Sequence, residues 1–287
     1  NYARRCGLGS EQFRGPYRRP SLALFRDHCR QQISEHGLDR LLLRGRARGL
    51  TRAEGGWCVQ TDQGQIAARR VLLAISLGEQ PRWPAWAAAL RNAGAPVFNL
   101  YAAEADRPQA APDTQTVVVG GGISAAQAAL ALAREAPGTA TLLLRHELRV
   151  AAFDSPAGWV GPKELRGFLA EPSLERRRAL IRGARQPGSV PEDVAQQLRR
   201  AERGGLLRIE RGEVQRASWG AAAGFELHLG RRSLRADRVL LATGFEQHRP
   251  GSGWLDATIA AEGLPLAPCG YPVVNPCLEW APGLYVT

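Results

Sequence analysis

The sequence predicts an α/β fold of two related units, and three observations lead there. VVVGGGISAAQAAL (117–130) reads as a buried β-branched strand, a glycine turn and a long Ala/Leu helix. Short strand-like runs alternate with helical periodicity along the rest of the chain. WCVQTDQGQIAARRVLLAISLG (57–78) and FELHLGRRSLRADRVLLATGF (225–245) both run strand, turn, strand, then Arg-Val-Leu-Leu-Ala and a glycine. An echo of that length implies repeated modules rather than a coincidence of apolar strands.

In chain order, SLALFRDHCRQQISEH (21–36) places Phe25, Cys29 and Ile33 on one helical face, with Ser21 and Gly37 as start and stop signals. Strands are expected at 41–43, 57–61 and 66–75, separated by EGG and QG turns. A Trp/Ala-rich helix (85–93) then leads to PQAAPD (108–113), of linker composition. The second unit opens with strand 116–119, helix 124–135 and strand 141–144, the helix ending at Pro137–Gly138. Helical stretches follow at 163–185 and 191–203, then strands at 206–210, 213–218 and 225–229, and the segment 235–245. These spans place the expected units at 1–110, 111–248 and 249–287.

The 287 residues are 44% hydrophobic, enough to bury a sizeable core. No apolar run reaches the eighteen or so residues of a membrane-spanning helix, so none is expected. The chain starts at Asn1, contains no methionine and runs an apolar strand (284–286) up to Thr287, which reads as a piece cut from a longer chain. The net charge of +11 comes from 38 basic residues, all but one of them arginine, spread over every segment without aromatic interleaving. That is a compositional bias and not a nucleic-acid footprint. The run ERRRALIRGAR (175–185) reads as a solvated helix face. Five cysteines with no C-x-x-C and no metal-type spacing indicate neither a disulfide framework nor a zinc site, and fit a reducing, cytoplasmic setting.

Gly120, Gly122 and Ala125 fit G-x-G-x-x-A, with Gly121, Ile123 and Ser124 between them. The first glycine permits the tight turn, the second lets backbone amides approach a pyrophosphate, and the small Ala125 lets helix and strand pack closely. Ser124 and Gln127 also spell a capping box, so the serine serves the helix start, a role compatible with a phosphate contact. Arg145 lies twenty residues past Ala125, with His146 beside it and no carboxylate before Glu147. An arginine there accommodates a ribose 2′-phosphate, which favours NADPH over NADH.

With these residues in view, the chain resembles the two-dinucleotide flavin monooxygenases, a group that includes flavin-containing monooxygenases, Baeyer–Villiger enzymes and ornithine/lysine N-hydroxylases. GGGISAAQ (120–127) is similar to their NADPH loop. DRVLLATGF (237–245) is similar to the segment closing the NADPH module, which brings in Ala242, Thr243, Gly244 and Phe245. RRVLLAISLGEQPRWP (69–84) resembles the exit from the FAD module, and APGLYVT (281–287) the strand returning to it. The resemblance implies an NADPH-binding Rossmann-like module inserted into a partial FAD module. It also implies hydride transfer from NADPH to FAD and oxygenation of a small nucleophilic nitrogen or sulfur, or a carbonyl. The sequence departs from the pattern in three places: it has no FAD-type G-x-G-x-x-G, it has AISLG where ATG is usual, and VFNLYAAEA (97–105) stands where F-x-G-x-x-x-H would. A flavin reductase without oxygenation, and a non-catalytic nucleotide-binding protein, remain the alternatives. The oligomeric state is left open.

Lys163, the only lysine, follows Pro162 in a turn-rich segment that also carries Trp159. It is either an ammonium needed at the cofactor site or an ordinary helix-start residue. PCGYPVVNPC (268–277) is a candidate pocket loop whose two thiols are expected to be buried packing. His28 is expected to be packed or half-exposed on its helix and not catalytic.

Overall fold

The computed structural model describes residues 2–15, 18–102, 111–251 and 253–287. After the helix α1 (Leu22–Glu35) come the strands β1 (Ala47–Ala53), β2 (Gly56–Thr61), β3 (Gly64–Ala68) and β4 (Val71–Leu73). The helix α2 (Ala85–Asn92) leads to β5 (Val97–Asn99), and residues 103–105 of the VFNLYAAEA segment and 108–110 of the expected linker lie outside the described residues. Then follow β6 (Thr116–Val119), α3 (Ile123–Glu135) and β7 (Ala140–Leu144), with α4 (Pro162–Ala170), α5 (Leu174–Ala184) and α6 (Glu192–Arg203) next. The strands β8 (Leu207–Arg211), β9 (Arg216–Gly220), β10 (Gly224–His228), β11 (Ser233–Ala236) and β12 (Arg238–Leu241) precede α7 (Trp254–Glu262), β13 (Glu279–Ala281) and β14 (Leu284–Val286).

The largest sheet is parallel, in the order β8-β7-β6-β12-β5. Its central strands are buried on both faces, as the continuous apolar runs VVV and LLL require. On one face α3 and α6 pack Ala125, Ala129, Val194 and Leu198 against Val118, Leu142 and Leu144. On the other, α2 and the antiparallel meander β9-β10-β11 set Ala87, Phe225 and Leu227 against Val117, Leu143 and Val239. β5, which lies N-terminal to position 111, forms the edge of this sheet beside β12.

The echo in the sequence is an echo in space. β1-β2-β3 is a second antiparallel meander, and in each copy the strand that follows it, β4 or β12, enters a parallel pairing, β4 with β14 and β12 with β6. Leu50, Trp57, Leu255, Trp280 and Leu284 make the core here. The Trp57 indole donates to the Pro282 carbonyl over 2.9 Å and closes the meander onto the β13–β14 turn.

Several expectations fail for identifiable reasons. Residues 41–43 form no strand: Leu38–Leu41 is a single 3-10 turn, and Leu41, Leu42 and Leu43 are exposed, without a strand partner among the described residues. An apolar run becomes a strand only where a ladder is available to receive it. The face of α1 read as apolar is not the buried one, since Leu24 is buried while Phe25 and Ile33 are exposed. The strand expected over 66–75 is two strands in different sheets, and the one expected at 213–218 is displaced to 216–220. The helix expected over 163–185 breaks at Glu171–Ser173. Pro172 disfavours helix in the preceding residue, and Ser173 then caps α5 by accepting from the Arg176 amide. Trp159 is half-buried and packs edge-on against Phe168. Cys269 and Cys277 are exposed and unbonded, contrary to the buried packing expected of them.

Candidate dinucleotide site

The glycine loop is fixed from both sides. The Gly120 amide donates to the Leu143 carbonyl over 3.1 Å, and Gly120 turns at φ +151°. A β-carbon there would stand 2.4 Å from the Ala242 carbonyl oxygen and 3.2 Å from the Ala125 β-carbon, so neither residue leaves room for one. Ala125 is fully buried and supplies the close helix–strand approach that its smallness allows. The capping box does not form. α3 begins at Ile123 with Gly122 as its N-cap and no side-chain cap, Ser124 stands inside the first turn, and Gln127 is exposed. A box needs its serine one position outside the helix, and here glycine holds that position. The amides of Ile123, Ser124 and Ala125 therefore find no acceptor among the described residues. Uncapped amides at the positive end of a thirteen-residue helix make an anion site.

One participant was missed. Gly188, at φ +75°, lies across the loop, its α-carbon 3.6 Å from where a Gly122 β-carbon would be and its carbonyl oxygen 3.8 Å from the corresponding Gly121 position. The Pro187–Gly188 dipeptide signalled a turn but not where the turn would lie. Gly188 ends an excursion (151–188) whose base is clasped by Arg185–Asp154 at 3.0 Å, the Gln186 amide on the Asp154 carbonyl at 2.6 Å, and a short parallel pairing of 149–150 with 189–190. Lys163, second residue of α4, sits on this excursion, exposed and with no hydrogen bond or ion pair among the described residues. An apolar hollow of about 500 Å³ beside α5 is lined by Trp159, Leu180 and Ala184.

Arg145 and His146 emerge exposed from the end of β7. Arg145 pairs with Glu213 at 3.6 Å, and Arg211, from the end of β8, pairs with Glu147 at 2.8 Å. Past β12, the Ala242 amide donates to Val119 over 2.8 Å and keeps the chain beside the glycine turn. The Thr243 hydroxyl is committed to the Arg82 carbonyl at 2.6 Å, and the Arg82 amide to the Gly244 carbonyl at 2.8 Å. Phe245 bridges to Pro81 and packs tilted against Tyr101, ring centroids 4.4 Å apart. The Glu246 amide reaches the Gln80 carbonyl, and the buried Gln80 side chain donates to the His248 carbonyl at 2.9 Å. The segments 80–82 and 244–248 thus run side by side as one paired crossing between the two cores.

Residues 51–198, just over half of the chain, match the model of the L-lysine 6-monooxygenase/L-ornithine 5-monooxygenase family. The chain belongs to this family. No curated protein matches its sequence. The fold of this monooxygenase-family chain is shared by an ornithine N-hydroxylase from Kutzneria sp. 744, solved with reduced FAD, NADP+ and L-ornithine (TM-score 0.68, 18% identity, 93% of this chain and 70% of that one). It is shared as well by the L-lysine 6-monooxygenase of Pseudomonas syringae (0.62, 19%, 84% and 63%). The FAD-bound cadaverine monooxygenase of Erwinia amylovora, from the desferrioxamine pathway, is a further match (0.63, 13%, 84% and 61%). The chain therefore spans somewhat under two thirds of the length of the last two. No helix among the described residues is long and apolar enough to cross a membrane.

Proposed function

We propose that the protein is an FAD- and NADPH-dependent monooxygenase that hydroxylates the amine nitrogen of a small substrate of the lysine and ornithine class. Family membership over 51–198, a span that includes the glycine loop, carries this reading. The loop fits NADPH: the free amides of Ile123, Ser124 and Ala125 would hold the pyrophosphate, Gly120 to Gly122 would admit it, and Arg145 with His146 would face the ribose 2′-phosphate. Bound there, NADPH supplies a hydride. The chain's own part is to fix the dinucleotide's path and to set Ala242, Thr243, Gly244 and Phe245 beside its far half, while Lys163 is one of the cations offered by the excursion. For FAD the 287 residues contain no second glycine-rich G-x-G-x-x-G or G-x-G-x-x-A loop, so its pyrophosphate loop is not among them.

The nucleotide unit in this reading is the parallel sheet with its helices, from about 111 to 248 together with β5, and the remainder forms the FAD-side unit. Five unbonded cysteines support a reducing, cytoplasmic setting. Purified flavin-loaded protein should oxidise NADPH and form a hydroxylamine with lysine, ornithine or a short diamine, detected by mass spectrometry as one added oxygen. NADPH oxidation with no hydroxylated amine across that panel would reduce the reading to a flavin reductase. Failure to bind any nicotinamide nucleotide would leave a non-catalytic protein.

A further inference from the structure

We propose that Arg211 is a second phosphate-binding side chain, which closes on the cofactor's 2′-phosphate from the neighbouring strand opposite Arg145. The inference rests on the NADPH reading above. In the order β8-β7-β6-β12-β5 the chain runs to one side of β6 through β7 and β8, then crosses to the other side with β12. A dinucleotide seated on the glycine loop after β6 lies at this switch point, so its adenosine half extends over the ends of β7 and β8. β7 and β8 are parallel, with Arg211 in register with Leu144, and the Gly212 amide donates to the Leu144 carbonyl over 2.9 Å. The strand ends that carry Arg145 and Arg211 thus lie side by side, at the same end as Gly120, with Arg145 one position beyond the partner of Arg211.

Their ion pairs cross: Arg145 reaches Glu213 beyond β8, and Arg211 reaches Glu147 beyond β7. Each guanidinium thus pairs with a carboxylate from the loop that follows the other strand. Both arginine side chains are more than 60% exposed, so these pairs are weakly held and open to exchange. A phosphomonoester of charge about −1.5 to −2 can replace both carboxylates and take two planar forks at once. Glu147 and Glu213 are then the competitors that phosphate must displace, Glu213 the looser of the two at 3.6 Å against 2.8 Å. Arg232 pairs with Glu210 at 2.6 Å and donates to the Arg211 carbonyl, which fixes the strand end from which Arg211 projects.

The test is titration calorimetry of the flavin-loaded protein with NADP+, NAD+ and 2′,5′-ADP, with thermal unfolding as a check on folding. Arg211→Gln should weaken NADP+ and 2′,5′-ADP by roughly tenfold or more while NAD+ changes less than about twofold. Glu213→Gln should tighten NADP+ and 2′,5′-ADP and leave NAD+ unaffected. Equal losses for NADP+ and NAD+ in Arg211→Gln, or no loss for either, would overturn the proposal. If the wild-type protein shows no preference for NADP+ over NAD+, the NADPH reading itself fails. A preference abolished by Arg145→Gln but untouched by Arg211→Gln sinks this inference alone.

Discussion

At Gly120 the backbone sits where a side chain has neither a comfortable φ nor space, with the Ala242 carbonyl oxygen 2.4 Å from the missing β-carbon. Gly120→Ala should destabilise the fold by about 2–4 kcal/mol from strain and overpacking together, and urea unfolding checks it. Asp256 gives a pH signature. The Arg249 guanidinium, and after it the Gly253 amide, hold its carboxyl below the ordinary value. Because the folded value lies below the unfolded one, the stabilisation is complete above the ordinary carboxylate range near about 3.9 and is lost as pH falls through the depressed value. The carboxylate is 56% exposed, so the effect is small. The stability difference between wild type and Asp256→Asn should stay flat above about pH 5 and shrink on further acidification. A difference that grew in acid would contradict the assignment. Gly120 and Ala125 were legible in the sequence because their constraint is local. Gly188 and Arg211 were not, since each matters only through residues distant in the chain.

Helix ends show what local chemistry can and cannot announce. Ser21 caps α1 as its position suggests, its hydroxyl accepting from the Leu24 amide at 3.1 Å. Ser21→Ala should cost about 1 kcal/mol, and Ser21→Gly less, as read by urea unfolding of both variants. At α3 the same kind of signal misled. Ser124 and Gln127 have the spacing of a box, yet the glycine turn starts the helix two residues earlier than that box requires and the amides stay free. That difference leaves more donors free for an anion, because a capping box occupies part of the terminal amides. The two meanders were visible from their alternation and turns, although β1 went unrecognised in the first copy and β5 did not stand out as a strand. β5 has only three residues, too few for a period to register, and its identity comes from the β12 edge it pairs with.

At the scale of the molecule, two cores meet through a paired crossing in which Gln80 spans from one strand of the linker to the other. Gln80→Ala would remove the donor that the buried Gln80 side chain offers the His248 carbonyl and should lower stability by about 1 kcal/mol, measurable as a shifted urea midpoint. A midpoint unchanged within error would show that the crossing holds without it. By itself the sequence determined the strand–glycine–helix unit, its repeated meander, the arginine after the second strand and the resemblance to flavin monooxygenases. These are written in period, turn chemistry and spacing, which act over a few residues at a time. Only the tertiary structure decided that β5 joins the nucleotide sheet, that Gly188 lies across the loop, and that the ends of β7 and β8 stand together with their charges crossed. Pairings between segments far apart in the chain are chosen by which apolar faces can be buried together, and no local pattern carries that choice.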